Sequence, residues 1–385
     1  MVIGFDASRA FTTNRTGTEN YSYQLLKHLS KIDQTNNYHI FMRPQSPDNL
    51  QTDEIWPKNF KFITISNKRL WTQLGLAYQT FTDNLDVLFV PSHTLPIFSK
   101  PGLKTVVTVH DLGAQFLPKT HQLKQRLYLN FMTHYQIKHA SRVIAVSEAT
   151  KQDLTRKTGI SPDKVSVIYE GYNQDLYKPT PRERSETILK KYGLDKDQYF
   201  LFVGTIQPRK NLENLIMAFK KYLEETTDKT PRKLILAGSK GWLSTDLYAL
   251  PSLYHLEDKI QFLGYVADGD LPSLYSNASA FLYPSLFEGF GLPILEAQAC
   301  GCPVLTSNLS SMREVACLPA GKAGKSAILV DPNSVDDISK GILTLQSESV
   351  RQKLIKLGYQ NITRFSWEKC ARETLKVLEL VVSSR

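Results

Sequence analysis

The sequence predicts an α/β protein made of two tandem Rossmann-like units, each a doubly wound parallel sheet, and three observations lead there. Short apolar runs alternate with amphipathic stretches along almost the whole chain, which is the pattern of strand and crossover helix. The alternation lapses across a polar, proline-punctuated stretch from Asn173 to Glu186 and then begins again, as a linker would make it do. At 385 residues the chain also exceeds what one hydrophobic core ordinarily serves.

In the first half the strand runs are "VIGFDA", "YHIFMR", "FKFITIS", "DVLFVPS", "TVVTVHD", "RVIAVS" and "KVSVIYEG". Helices are expected between them, clearest at Tyr21 to Ser30 and Gln122 to Ala140, where Leu127, Phe131, Tyr135 and Ile137 fall near helical spacing. The second half reads "YFLFVGT", a helix from Leu212 to Leu223, "KLILAGS", "IQFLGY", a helix from Leu271 to Asn277, "AFLYPS", "PVLTSN" and "AILVDP". "LPAGKAGKS", from Leu318 to Ser326, reads as an inserted surface loop, because it lacks the four-residue spacer of a Walker A sequence. The last stretch reads as a helix with Leu375, Leu378 and Val382 on its apolar side. Domain boundaries are therefore expected at 1–172 and 173–366, with 367–385 as a closing helix.

Composition excludes several classes. With 42% hydrophobic and 22% charged residues the chain is an ordinary globular protein. No basic segment followed by a long apolar one opens the sequence, and no run approaches the roughly 20 apolar residues of a membrane span, so cytoplasmic residence is expected. Cysteines at 300, 302, 317 and 370 lack metal-ligand spacing and read as small buried fillers. The net charge of +10 divides as 21 − 14 = +7 over residues 1–180 and 26 − 23 = +3 over 181–385. Such a surplus suits phosphorylated ligands or anionic headgroups. Nucleic acid is not an expected partner, since no RNP motif, zinc-finger spacing or dense basic block occurs.

Two stretches carry chemistry. In "EGFGLPILEAQACG" a helix should start at Leu292–Pro293 and stop before Gly301, with Glu296 in its first turn and Glu288 ahead of the glycine-rich bend. Gly289 and Gly291 let backbone N–H groups approach a ligand, and two acids beside bare amides suit a molecule rich in hydroxyls and phosphates. In "FVGTIQPRKN", Arg209 and Lys210 stand between a strand and a helix whose expected N-cap is Asn211, a placement fit for a diphosphate. The plain alternatives are a dipole-complementing Glu296, a solvated Glu288 and two surface cations.

Taken in order, "TGTENY", "HDL" after "TVVTV", "VSEATK", "GTIQPRKN" and "EGFGLPILEAQACGCPV" resemble the signature set of family-four retaining glycosyltransferases of GT-B architecture, over nearly the whole chain. The resemblance implies two Rossmann-like domains facing across a cleft, with the closing helix returning to the first. It implies that Arg209 and Lys210, after Gly204, hold the donor's diphosphate, that Glu296 binds the ribose, and that Glu288 with Gly289, Phe290, Gly291 and Leu292 holds the donor sugar. His110 matches the histidine that lies against that sugar from the other domain. Gly17 would bring backbone amides to phosphate or acceptor, and Ser147 would either touch the donor or cap the helix behind it. Two positions depart from the family pattern: Glu170 stands where asparagine is usual, and Glu19 where many members have glycine.

The implied reaction moves a hexose from a nucleotide-diphosphate sugar, GDP-mannose favoured and a UDP-sugar next, to a glycan or lipid-linked acceptor hydroxyl, with retention of configuration. No cofactor and no metal are expected, because cationic side chains answer the diphosphate; "DGD" at Asp268 to Asp270 reads as a helix cap instead. Sugar-nucleotide epimerisation, pyridoxal-dependent phosphorolysis and non-catalytic sugar-nucleotide binding are the rivals on the same architecture. A peripheral contact with the inner face of an anionic membrane is a secondary expectation, drawn from "KTHQLKQRLYLNFMTHYQIKHASR", for which a helix packed on the first sheet is the alternative.

Overall fold

Among the described residues, thirteen short strands, three to six residues each, build two all-parallel sheets. The computed structural model describes residues 1–12, 15, 17–44, 55–67, 69–92, 94–112, 135, 137–241, 245–318 and 324–384. The chain divides into one unit of Met1–Gly171 with Phe365–Arg385, and a second of Tyr172–Arg364.

In the first unit β1 (Val2–Asp6), β2 (Asn37–Met42), β3 (Phe60–Thr64), β4 (Val87–Val90), β5 (Lys104–Val109), β6 (Arg142–Ala145) and β7 (Val165–Val167) lie in the order β3-β2-β1-β4-β5-β6-β7. The order reverses between β1 and β4, the switch point of a doubly wound sheet. Central strands of such a sheet are covered on both faces and so read as unbroken apolar runs. That is why all four residues of β4 are buried.

The second unit repeats the scheme with β8 (Tyr199–Val203), β9 (Lys233–Ala237), β10 (Ile260–Gly264), β11 (Ala280–Tyr283), β12 (Val304–Ser307) and β13 (Ile328–Val330), ordered β10-β9-β8-β11-β12-β13. Its switch point falls between β8 and β11, which pair through Ala280 with Phe200 and Phe281 with Leu201. Every strand expected from the sequence is present.

The closing helix, Trp367–Ser383, is capped by Ser366, whose hydroxyl accepts from the Lys369 N–H. It packs against Gly17–Ile32 in the first unit. A Tyr21–Trp367 edge contact at 5.8 Å and a Tyr169–Phe365 contact at 5.6 Å fix its start. Gly171 comes closer still, for an added Cβ would meet the Trp367 backbone nitrogen at 2.1 Å.

Three expectations need correction or restriction. The stretch from Asn173 to Glu186 is not linker throughout: Pro181 fixes the start of a helix at Arg182–Tyr192, and the whole stretch belongs to the second unit. Residues 122–134 of the expected long helix, and with them most of the segment read as membrane-facing, lie outside the described residues, as do 319–323 of the inserted loop. The chain is anchored again at the end of that loop, since the Ser326 hydroxyl donates to the Ala316 carbonyl at 2.8 Å and its own carbonyl accepts from Gln298 at 3.0 Å.

Replacing Gly171 with Ala should lower stability by about 1–3 kcal/mol, because the new methyl meets backbone that cannot rotate away. Urea unfolding checks this; an unchanged midpoint would refute the close approach.

Candidate functional site

Strands β8 and β11 are neighbours whose chains depart to opposite sides of the sheet, so the loops at their carboxyl ends enclose a crevice. The first loop opens at Gly204, which has φ +152°. Gly238, after β9, lies against it so closely that a Cβ there would stand 1.9 Å from the Gly204 carbonyl oxygen. Only a bare backbone fits.

Pro208–Lys210 then forms one 3-10 turn, and Asn211 enters the helix Leu212–Glu225 from a left-handed conformation at φ 61°. Asn211 does hold the N-cap position, but its side chain makes no cap bond. Capping oxygens work from an extended backbone. From the left-handed one, Asn211 Nδ2 instead donates to the carbonyls of Pro284 at 3.0 Å and Pro332 at 2.7 Å, tying three loops together.

The second loop leaves β11 at Tyr283 and turns at Gly291, whose φ of +108° strains any side-chain-bearing residue. Leu292 begins the helix Leu292–Ala299, with Pro293 in its first turn, where a missing N–H costs nothing. Gly289 and Phe290 are buried beside it.

Between the two loops lies a buried ionic network. Arg209 donates to Glu288 Oε2 at 2.8 Å and to the Phe287 carbonyl at 3.2 Å. Lys210 Nζ donates to Glu288 Oε1 at 2.8 Å and to the Tyr283 hydroxyl, which itself donates to the same carboxylate oxygen at 3.1 Å. The side chains of Lys210 and Glu288 are each 8% exposed, and that of Arg209 23%. Burial pushes the Glu288 carboxyl up, but the charges of Lys210 and Arg209 outweigh it and hold the group below the usual carboxylate range. Ser310 and Ser311 each donate to the Glu288 carbonyl at 2.8 Å, fixing the backbone from behind.

The two acids stand in different surroundings. The family resemblance makes Glu288 a ligand for sugar hydroxyls, yet its carboxylate is engaged by both cations and a phenol. Glu296 is the fifth residue of its helix, one turn beyond the free N–H groups that its sequence position suggests it adjoins. It sits by Tyr177 and Tyr275, whose hydroxyl donates to Oε2 at 3.4 Å, and burial pushes its pKa up to about 7. Asp270 occupies the N-cap position of Leu271–Asn277 without capping it: its carboxylate is taken by Lys191 at 2.6 Å and Tyr192 at 2.9 Å. Among the described residues no three His, Cys, Asp or Glu side chains gather as a metal-binding group.

In the first unit His110 follows β5. Its Nδ1 faces Glu170 Oε1 at 3.2 Å and its Nε2 faces the Pro91 carbonyl at 2.9 Å. Both partners are acceptors, and only an imidazolium offers two donors. Burial lowers the His110 pKa, but the hydrogen bond and charge of Glu170 raise it further, for a net rise. The glutamate that replaces the family's asparagine is thus the counter-ion of a charged histidine. Glu19, the other departure, lies in the first turn of Gly17–Ile32 and accepts from Arg9 at 2.9 Å. Gly17 itself is exposed, with nothing near an added Cβ. Ser147 is a fully buried helix cap, accepting from the Thr150 N–H at 3.0 Å.

Sequence reasoning brings together Arg209, Lys210 and the glycine bend, and it misses Tyr283, Gly238, Ser310 and Ser311. Gly238 has a signal: "LILAGS" repeats the strand-then-glycine ending of "LFVGT". The serines have none, since only the fold carries their helix under Glu288.

Comparison with known proteins accords with the two-sheet fold. Residues 15–176 match the model of Glycosyltransferase Family 4, and residues 184–361 that of Glycosyl transferases group 1. The O-antigen chain mannosyltransferase B of Escherichia coli is 36% identical over 279 residues, 72% of this chain and 71% of that protein. Among solved structures, sucrose-phosphate synthase of Thermosynechococcus elongatus superposes with a TM-score of 0.76 at 19% identity, covering all of both chains. Anabaena Alr3699/HepE, in complex with UDP-glucose, gives 0.73 at 18% identity, over 99% of this chain and 100% of that one.

Replacing Glu170 with Gln should lower the His110 pKa. The native pairing stabilises the fold fully below about pH 6.5 and loses that contribution as pH rises through the raised native value, so the variant's deficit in urea should be larger at pH 6 than at pH 9. Ring-proton NMR titration reads the shift directly. An identical titration curve in the variant would overturn the assignment.

Proposed function

The chain belongs to the glycosyltransferases, a Family 4 module followed by a group 1 module in the GT-B fold, and from that premise we propose that it transfers mannose from GDP-mannose to a hydroxyl of a glycan or lipid-linked acceptor, with retention of configuration and without a metal. The observation that carries the reading is the Arg209–Glu288–Lys210 network at the switch-point crevice. Likeness to a mannosyltransferase supports the sugar. A UDP-sugar is the second reading, favoured by a fold neighbour that holds UDP-glucose.

Glycosyl transfer breaks the bond between the anomeric carbon and the diphosphate, so negative charge grows on the leaving phosphate. Two cations against one carboxylate leave the network with a net positive charge. Arg209 offers a planar fork and Lys210 a compact charge, both held in place before the donor arrives. The donor diphosphate then competes with Glu288 for the outer faces of these cations, while Glu288 keeps them aligned. In this reading Glu288 positions the cations, and the backbone from Gly289 to Leu292 meets the sugar. Tyr283 locks Lys210 from beneath. The leaving phosphate takes the acceptor's proton.

Glu296 is assigned the ribose hydroxyls, from which it accepts more strongly in ionised form. A carboxyl with a pKa of about 7 is mostly neutral at pH 6 and mostly charged at pH 8.

Arg209→Ala should reduce transfer by about 10²–10³-fold, measured in excess chelator, with unfolding midpoints confirming an intact fold. Wild-type turnover by the variant would dismiss the diphosphate role, and abolition of wild-type turnover by chelator the metal-free reading. Conversion of the sugar nucleotide to an epimer, with no free nucleoside diphosphate released, would establish the rival activity. In a screen by thermal stabilisation, GDP-mannose should raise the midpoint more than UDP-glucose.

Affinity for GDP-mannose should rise about tenfold between pH 6 and pH 8, following the ionised fraction of Glu296. Calorimetric titration of Glu296→Gln should lose that slope; a pH dependence that survives the substitution removes Glu296 from the ribose site.

A further inference from the structure

At the amino end of the second sheet, away from the crevice, the chain encloses a cavity of about 630 Å3. It lies where the backbone enters β8, β11 and β12, three adjacent strands, for Lys196, Asn277 and Gly301 line it and each stands three residues ahead of one of them. The helices Arg182–Tyr192 and Glu348–Ile362 supply its sides. Doubly wound sheets receive their nucleotides at the other end, so the donor assignment does not account for this space. Its size falls within the roughly 300–1,000 Å3 of small-molecule sites.

Two features of the lining point to a ligand. Asn277 is 7% exposed; its Nδ2 donates to the Ser273 carbonyl at 2.8 Å, while among the described residues its Oδ1 accepts from none. A buried amide oxygen on the wall of a cavity calls for a donor. Tyr359 is 39% exposed, and its phenol lies over the Gly301 backbone, where an added Cβ would stand 2.5 Å from the hydroxyl oxygen. Leu189 and Ile355 extend this apolar wall. Hydroxyls complete it: Ser276 Oγ accepts from the Thr180 N–H at 3.2 Å, and the Thr180 and Ser185 hydroxyls pair at 2.7 Å. Free charge is scarce. Arg182 is taken by Glu186 at 2.6 Å, which leaves Lys196 as the lining cation without a partner among the described residues. Cys300 is no nucleophile, since burial pushes its thiol up to about 12.

We propose that this cavity is a second carbohydrate site, taking a hexose unit of a neutral glycan: Tyr359 stacks on the sugar, Asn277 Oδ1 accepts from one hydroxyl and Lys196 donates to another. The C–H face of a pyranose ring is apolar and faintly positive, which suits the negative face of an aromatic ring. An anion would meet a single free cation here, whereas a polyol meets a ring face, a donor and an acceptor together. None of these residues belongs to the nucleotide site. Gripping a glycan by a unit remote from the reacting hydroxyl is the use that follows; that use rests on the glycan-acceptor reading, and the binding itself does not.

Calorimetric titration with mannotriose and with maltotriose, in the absence of nucleotide, tests the proposal whatever the donor proves to be. At least one trisaccharide should bind the wild type, and Tyr359→Ala should weaken that binding at least tenfold with an intact cooperative urea transition. Hydrogen exchange on the wild-type complex supplies a reading independent of the variant: protection should rise in residues 179–189 and 355–359. Failure of both sugars to bind overturns the proposal. So does binding undiminished in Tyr359→Ala, or protection confined to other parts of the chain, either of which would put the sugar in a different site. Binding of inorganic phosphate with neither sugar would make the cavity an anion site and overturn it as well.

Discussion

A single carboxylate held between two cations is the interaction on which the loops at the second unit's switch point depend. Arg209 and Lys210 are adjacent in sequence and repel one another; Glu288, nearly eighty residues later, accepts a hydrogen bond from each. The dependence is mutual, because a buried carboxylate without cations would take up a proton. Breaking such a buried pair by deleting one partner typically costs about 3–5 kcal/mol. The network therefore links the loop after β8 to the loop after β11 as firmly as the sheet links the strands.

Much of the surrounding structure braces that link. Asn211 bridges to the carbonyls of Pro284 and Pro332, Ser310 and Ser311 grip the Glu288 carbonyl, and Gly238 permits the Gly204 loop to lie flat against its neighbour. The first unit uses the same device with the signs distributed differently. There a buried acid, Glu170, holds a protonated ring, His110, whose second N–H is fixed by a backbone carbonyl. Both arrangements place preorganised positive charge beyond the carboxyl ends of parallel strands, where a doubly wound sheet receives its ligands.

The two-sheet fold is legible in the sequence because its signal is local: a buried parallel strand must be apolar throughout, and thirteen such runs stand out. Arg209 and Lys210 are legible for a similar reason, since a strand end, a short turn and a helix start fall within ten consecutive residues. The pairing of Glu288 with those cations escapes sequence reasoning, and so does the tyrosine beneath Lys210. Those contacts join residues more than seventy apart, and no spacing rule reports them. The helix start at Leu292 is legible too, and counting from it makes Glu296 the fifth helical residue, beyond the free N–H groups of the first turn. Asn211 shows a subtler limit: its position is predictable, but the left-handed backbone that redirects its amide is visible only in three dimensions.

The first unit is assembled from two pieces of chain, Met1–Gly171 and Phe365–Arg385, with the whole second unit between them. During synthesis its sheet emerges first but lacks the helix that covers one side of Gly17–Ile32, and this cover follows only after the whole second unit. The continuous second unit can mature once its own residues have emerged, whereas the first must wait, half-clothed, for Phe365–Arg385 to follow them. Order of manufacture and order of completion are thereby inverted, and loss of Trp367–Ser383 injures the lobe made earliest.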